Sequence, residues 1–267
     1  MSISIDRSDA VTTITIERPA VRNALDPDTA KALHQAFVEF EHEAESRVAV
    51  LTGSGDAFCA GFDLRSLAGA TDTITDWLEQ LHFDQADGQW PLGPMGPTRM
   101  NLSKPVIGAI NGAAVAGGME LAMWCDLRIM ESSAYMGVFC RRWGVPLIDG
   151  GTVRLPRLVG QGRAMELILT GRQVNADECL RIGLCEQVVE DGASLATALA
   201  LAEQLAGFPP ACLRADRQAT IAQQGLESEL ALRREFDNAV DIIRREGIRG
   251  ARRFASGKGR HGEFDDI

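Results

Sequence analysis

An α/β core followed by a helical C-terminal region is the fold class that the sequence predicts, on three observations. Short apolar runs in the first half read as strands, helix-period segments lie between them, and from about Gly160 the helical period takes over. The chain has 267 residues, 45% hydrophobic and 24% charged. That is enough for a sizeable core and unlike the composition of a disordered or collagen-like chain.

Ser2 to Ile5 and Val11 to Glu17 alternate apolar and polar residues around the turn material Asp6 to Ala10, which is a hairpin pattern. Asp26 is a good helix N-cap, Pro27 suits the first turn, and Ala30, Leu33, Phe37 and Phe40 recur at helical spacing, so a helix is predicted to about Ser46. Val48 to Thr52, closed by Gly53-Ser54-Gly55, reads as a buried strand. A helix across Ile74 to Leu81 leads into Gly88 to Pro97, whose three glycines and three prolines make an irregular loop and a candidate lid. Pro105 to Ile110 and Asp126 to Met130 read as strands, Asn111 to Gly118 as a glycine-rich turn, and Met119 to Trp124 as a helix. The remaining helices are Arg163 to Leu169, Ala176 to Arg181, Ser194 to Leu205, Pro210 to Gln223 and Leu226 to Arg245, with a short strand at Gln187 to Val189. No solenoid-type repeat is present.

Composition excludes several functions. With 27 Lys and Arg against 37 Asp and Glu, the net charge of −10 repels nucleic-acid phosphates and anionic lipid, so neither nucleic acid nor membrane is an expected partner. No segment offers the roughly 20 apolar residues of a membrane span, and Met1 to Arg18 carries Asp6, Arg7, Asp9 and Glu17 rather than a secretory signal. A cytoplasmic protein is expected. Cys59, Cys125, Cys140, Cys179, Cys185 and Cys212 form no Cys-x-x-Cys pair and read as reduced structural thiols. His34, His42, His82 and His261 form no ligand-spaced pair, so no metal is expected.

Two glycine-containing loops follow predicted strands: Phe58-Cys59-Ala60-Gly61-Phe62-Asp63-Leu64, and Asn111-Gly112-Ala113-Ala114-Val115-Ala116-Gly117-Gly118-Met119-Glu120. Both offer backbone N–H groups near a helix start, where partial positive charge collects and glycine permits close approach. Two such loops converging on one oxygen would stabilise an enolate or a tetrahedral oxyanion.

These loops join a longer series. It comprises Glu17-Arg18-Pro19 with Arg22-Asn23-Ala24-Leu25, Lys104-Pro105-Val106-Ile107-Gly108-Ala109-Ile110-Asn111-Gly112, and Gly117-Gly118-Met119-Glu120-Leu121-Ala122 with Cys125-Asp126, then Gly150-Gly151-Thr152 to Gly160 and Leu169-Thr170-Gly171. In this order, across about Ile14 to Val189, the sequence resembles the enoyl-CoA hydratase/isomerase (crotonase) superfamily. The resemblance implies a crotonase-like core of repeated ββα units over residues 1–195 and a C-terminal helical trimerisation region over 196–267. It also implies an acyl-CoA thioester substrate, a homotrimer or dimer of trimers, and no cofactor beyond the coenzyme A that the substrate carries.

By the same resemblance the N–H groups of Phe62 and Gly117 form the oxyanion hole, and Glu120 matches the first of two hydratase glutamates. The second falls on Cys140, a departure, because a thiol is a poor substitute for a carboxylate in acid–base work at neutral pH. The nearest downstream acid is Asp149, in the loop Gly144 to Gly151, where isomerases and dehalogenases of the superfamily place a catalytic aspartate, here with the spacing shifted by one residue. Glu120 and Asp149 are thus the expected catalytic pair, one base and one acid if their environments separate their pKa values. Arg22, Ala60, Gly61, Asp63, Leu64, Cys140 and Trp143 are the expected substrate-binding residues. The tail from Arg244 to Arg260 holds seven basic residues against Glu246, a candidate contact for the phosphates of coenzyme A, with Phe254 and Lys258 near the family's aromatic and lysine. The leading reading is a hydratase that adds water reversibly to a trans-2-enoyl-CoA. Its alternatives are an enoyl-CoA or dienoyl-CoA isomerase, a dehalogenase or hydrolase with Asp149 as nucleophile and His82 as base, and a non-catalytic acyl-CoA-binding protein.

Overall fold

The computed structural model describes residues 2–69, 71–83 and 90–259. Strands β1 (Ile3–Ser8) and β2 (Val11–Ile16) form the predicted antiparallel hairpin, tighter than expected because β1 runs through to Ser8. Helix α1 (Pro27–His42) starts where predicted, with the Asp26 carboxylate accepting from Thr29 N at 2.8 Å. It ends short of Ser46 because the buried Lys104 ammonium donates to the carbonyls of Phe40 at 2.7 Å and Glu43 at 2.6 Å, closing the helix.

From β3 (Val48–Gly53) onward the chain repeats one unit three times. β3 is followed by β4 (Ala57–Cys59) and helices α2 (Leu64–Gly69) and α3 (Thr71–Gln80); β5 (Val106–Ile110) by β6 (Ala113–Val115) and α4 (Gly117–Trp124); β7 (Leu127–Glu131) by β8 (Tyr135–Gly137) and α5 (Gly151–Val159). The first strand of each unit enters a six-stranded sheet of order β1-β2-β3-β5-β7-β10, parallel from β2 onward, with β10 at Gln187–Val189. The second enters a smaller sheet of order β4-β6-β8-β9, parallel but for β9 (Gln173–Asn175). The smaller sheet corrects the expectation of a plain turn over Asn111 to Gly118, and helix α5 lies where no helix is predicted, before the helical region expected from about Gly160. Strands of three residues carry no readable period, and Gly150, Gly151 and Pro156 disguise α5.

The central strands are buried on both faces, as parallel strands between two layers must be. Ala49 and Leu51 belong to the buried cluster that holds Leu33, Phe37 and Phe40 of α1, whereas Val48 and Val50 cluster with Ala198, Ala202 and Ala206 of α8 (Ser194–Gly207). Helices α6 (Gln161–Thr170) and α7 (Ala176–Ile182) precede α8, and α9 (Pro210–Ala222), α10 (Ser228–Ile242) and α11 (Ile248–Ala255) follow it. The helix predicted from Leu226 to Arg245 thus starts at Ser228 and breaks into a π turn at Ile243–Gly247. Among the described residues no helix is long and apolar enough to cross a membrane.

Candidate active site

The smaller sheet builds the site. Because β4, β6 and β8 are adjacent and parallel, the loops leaving their C-terminal ends emerge side by side, where ligands of open α/β sheets bind. Those loops carry Ala60 and Phe62, then Ala116 and Gly117, then Phe139 and Cys140, and all six line one cavity of about 570 Å³. The first two loops touch: a Cβ built on Gly61, at φ +95°, would lie 3.0 Å from Gly117 N. Phe62 is bridged to Leu25 through Gly61 O and Asp63 N, which leaves the Phe62 N–H outside the bridge. Gly117 is the first residue of α4, so its N–H has no intrahelical acceptor. Ala116, just before it, is held at φ 53° and ψ −125°, a costly conformation for a residue with a Cβ, and this turn starts the helix at the cavity wall.

Arg18 and Asn23, which sequence reasoning assigned no role beyond the motif, lock the first loop. Arg18 pairs with Asp26 at 2.8 Å and Asp63 at 3.3 Å, while the buried Asn23 amide donates to Ser54 O at 2.8 Å and Ala57 O at 2.6 Å. Arg22 is exposed at φ 51°, and its carbonyl accepts from Ala60 N at 3.0 Å. Arg22, Gly61 and Asp63 therefore shape the loop without lining the cavity, unlike Leu64, Trp143, Glu120 and Asp149, which do line it.

Glu120 and Asp149 are buried, at 3% and 4% exposure. Glu120 Oε1 accepts from Asp149 N at 3.0 Å and Gly151 N at 2.7 Å, so the start of α5 is tied to the first turn of α4. Asp149 Oδ1 accepts from Met95 N at 2.9 Å and from the Thr98 hydroxyl, and Arg154 bridges Asp149 O at 2.7 Å and Thr98 O at 2.6 Å. Burial and the neighbouring Asp149 charge push Glu120 up to about 8, against the pull of the two N–H donors and Arg154. Burial pushes Asp149 up to about 6, restrained by Thr98, Met95 N–H, Arg99 and Arg154. Asp149 ionises first, while Glu120 is still neutral, so the mutual repulsion falls on Glu120. Burial and the same Glu120 raise the Cys140 thiol, which keeps it protonated at neutral pH.

Met95, Thr98 and Arg154 were not read from the sequence, because only tertiary proximity joins them to Asp149. The segment read as a lid is instead, over residues 90–97, a packed wall: Met95 is fully buried, and Gly93 and Gly96 exchange backbone hydrogen bonds of 2.8 and 2.9 Å. Residues 84–89 and Arg260 lie outside the described residues. His82 is exposed and does not line the cavity, which removes the base that a covalent dehalogenase reading requires. The basic residues from Arg244 to Arg253 sit on the C-terminal helices and Lys258 in the turn after them, all outside the cavity lining.

Thr98→Val deletes one donor to Asp149, so the Asp149 carboxyl is expected to titrate above about 6, with Thr98→Ser restoring the parent value. The pH dependence of the Asp149 carboxyl carbon resonance reads this, and an unmoved titration in Thr98→Val would contradict it.

Comparisons with known proteins bear on the fold and the family. Residues 6–258 match the profile of the enoyl-CoA hydratase/isomerase family. The chain is similar to (E)-benzylidenesuccinyl-CoA hydratase of Thauera aromatica, at 35% identity covering 86% of each chain. It is also similar to short-chain-enoyl-CoA hydratase of Clostridium acetobutylicum, at 34% identity covering 89% of this chain and 87% of the other. Among solved structures, an enoyl-CoA hydratase from Mycobacterium marinum superposes with a TM-score of 0.85 at 28% identity over 96% of both chains. One from Bacillus anthracis superposes with a TM-score of 0.84 at 31% identity over 96% of both. With family order in its motifs, the paired sheets of its repeated unit and these matches along nearly its whole length, the chain belongs to the enoyl-CoA hydratase/isomerase family.

Proposed function

We propose that the protein adds water reversibly across the double bond of a trans-2-enoyl-CoA, with Asp149 as base, Glu120 as acid and the Phe62 and Gly117 N–H groups as the oxyanion hole. One observation carries this: two buried carboxyl groups, pushed to about 6 and about 8, share a cavity with two backbone donors. At neutral pH Asp149 is mostly ionised and Glu120 mostly protonated, the states needed for base and acid.

In the forward direction the thioester oxygen accepts from the two N–H groups. Asp149 takes a proton from water as the water oxygen bonds to Cβ, and the electron pair of the double bond moves to Cα and the thioester oxygen. The enolate that forms is held by the hole, where losing one donor typically costs about 10²–10³ in rate. Glu120 then gives its proton to Cα, and proton exchange with water restores both groups. Coenzyme A enters as part of the substrate and no further cofactor takes part. The loop held by Arg22, Ala60, Gly61 and Asp63 would receive its pantetheine end, and Leu64, Cys140 and Trp143 would meet the acyl group.

An isomerase reading draws on Cys140, since two carboxylates can shuttle a proton between carbons without adding water. Replacing Cys140 by Glu discriminates: a gain of hydration would favour isomerisation as the native reaction. In the reading proposed here residues 1–195 carry the chemistry and 196–267 supply the surface of a homotrimer or dimer of trimers. Exposed Leu232, Phe236 and Ile243 of the C-terminal helices support that assembly. The free cysteines, with no disulfide among the described residues, support a reducing, cytoplasmic location.

The test is the loss of enoyl-thioester absorbance with pH. The expected profile of kcat/KM is a bell, falling below about 6 as Asp149 gains a proton and above about 8 as Glu120 loses one. A thioester that binds but never loses its absorbance would overturn the hydratase reading.

A further inference from the structure

We infer that the acyl group this site takes is uncharged, apolar and longer than crotonyl, held along the wall formed by Leu64, Trp77, Leu78, Trp143 and Ile148. The inference deepens the function proposed above and rests on it for the position of the thioester. A cavity of about 570 Å³ lies well within the range of about 300–1,000 Å³ that encloses drug-sized ligands, far more than a four-carbon acyl unit fills. Among the described residues its walls are apolar apart from the catalytic end. Among the described lining residues the titratable groups are Glu120, Cys140 and Asp149, all of them acids.

No Lys, Arg or His stands among the described residues that line the cavity. Arg154 is spent on Asp149 O and Thr98 O, Arg99 donates to Leu81 O and lies over the Phe83 ring at 4.4 Å, Arg142 lies over the Phe139 ring at 4.4 Å, and Lys31 lies over the Trp77 ring at 5.3 Å, none of them lining the cavity. An acyl carboxylate would therefore enter an apolar cavity already holding two acids, with no cation among the described lining residues to offset its desolvation. An apolar chain meets the opposite situation. Trp77 is buried at 3% exposure, whereas Leu64, Leu78, Ile148 and Trp143 are 38, 47, 45 and 68% exposed, so the apolar wall continues from the interior to the mouth. Large side chains left exposed at the rim of a cavity mark where a ligand covers them.

The test uses saturated esters, which bind without reacting, in calorimetric titrations of the full chain. Octanoyl-CoA is expected to bind at least about tenfold tighter than butyryl-CoA, since each buried methylene is worth up to about fourfold. Glutaryl-CoA, with its free carboxylate, is expected to bind at least about tenfold weaker than octanoyl-CoA. Trp143→Ala removes an exposed side chain and should narrow the gap between octanoyl and butyryl esters. Equal affinities for butyryl-CoA and octanoyl-CoA, glutaryl-CoA as the tightest ligand, or an unchanged gap in Trp143→Ala would overturn the inference. Failure of every enoyl ester to hydrate, with this order of affinities intact, would remove the hydratase function and leave the acyl-group assignment supported.

Discussion

Glu120→Gln is expected to lower kcat by about 10²–10⁴-fold, the loss of a positioned general acid, while making the folded protein more stable as pH rises. The substitution preserves Oε1, which accepts from Asp149 N and Gly151 N, so the tie between α4 and α5 survives. The sign of the stability change follows from linkage. Glu120 is raised in the folded state from 4.5 to about 8, so the folded chain keeps a proton that the unfolded chain gives up. The stability this confers is complete below about 4.5 and is lost as pH rises through about 8, at about 1.4 kcal/mol per pH unit within that window. Glutamine does not titrate and escapes the loss. The melting temperature of Glu120→Gln should match the parent near pH 4.5 and exceed it increasingly toward pH 8, by about 3–6 °C per pH unit for a chain of this size. A gap that does not widen with pH would mean that Glu120 is not held protonated by its surroundings.

Gly118→Ala should cost at least one oxyanion-hole donor, a drop in kcat of about 10²–10³-fold, together with a lower melting temperature. A Cβ at Gly118 would lie 1.9 Å from Cys59 O, a backbone atom at the end of β4, so the clash is relieved only by moving α4 away from β4. Those two elements carry Gly117 N and, through the loop after Cys59, Phe62 N. Separating them would open the proposed oxyanion hole while leaving every carboxyl group in the chain. Gly162→Ala is the control: it sits in α6 with no atom within 4 Å of its added Cβ, and alanine favours the helix by about 0.5–1 kcal/mol. Parent-like kcat in Gly118→Ala would show that the two loops do not act together.

The large sheet was legible because its strands are long enough to show a pattern and its helices carry caps, as Asp26 and Pro27 do for α1. The smaller sheet was not, although it is the one that assembles the site. Its strands pair Ala57 with Ala113, Ala113 with Tyr135 and Tyr135 with Asn175, contacts between distant segments of three residues each. No local pattern announces such pairing, since what stabilises those strands is the neighbour rather than their own composition. The same division runs through the site. Glu120 stands two residues after the Gly117-Gly118 pair that opens its helix, and Asp149 was visible as the first acid after Cys140. Thr98, Met95 and Arg154, which hold Asp149, sit in segments whose sequence is that of ordinary loop and helix. Their role arises only when α5 folds back against residues 93–99.

In the proposed hydratase the second carboxylate of the site stands at Asp149 rather than at position 140. Rates of hydration of trans-2-octenoyl-CoA by Asp149→Asn and by Cys140→Ser test it most directly, measured beside the parent as the loss of enoyl absorbance. Turnover abolished in Asp149→Asn and retained in Cys140→Ser is the result this account predicts. Turnover retained in Asp149→Asn, or abolished in Cys140→Ser, would contradict it.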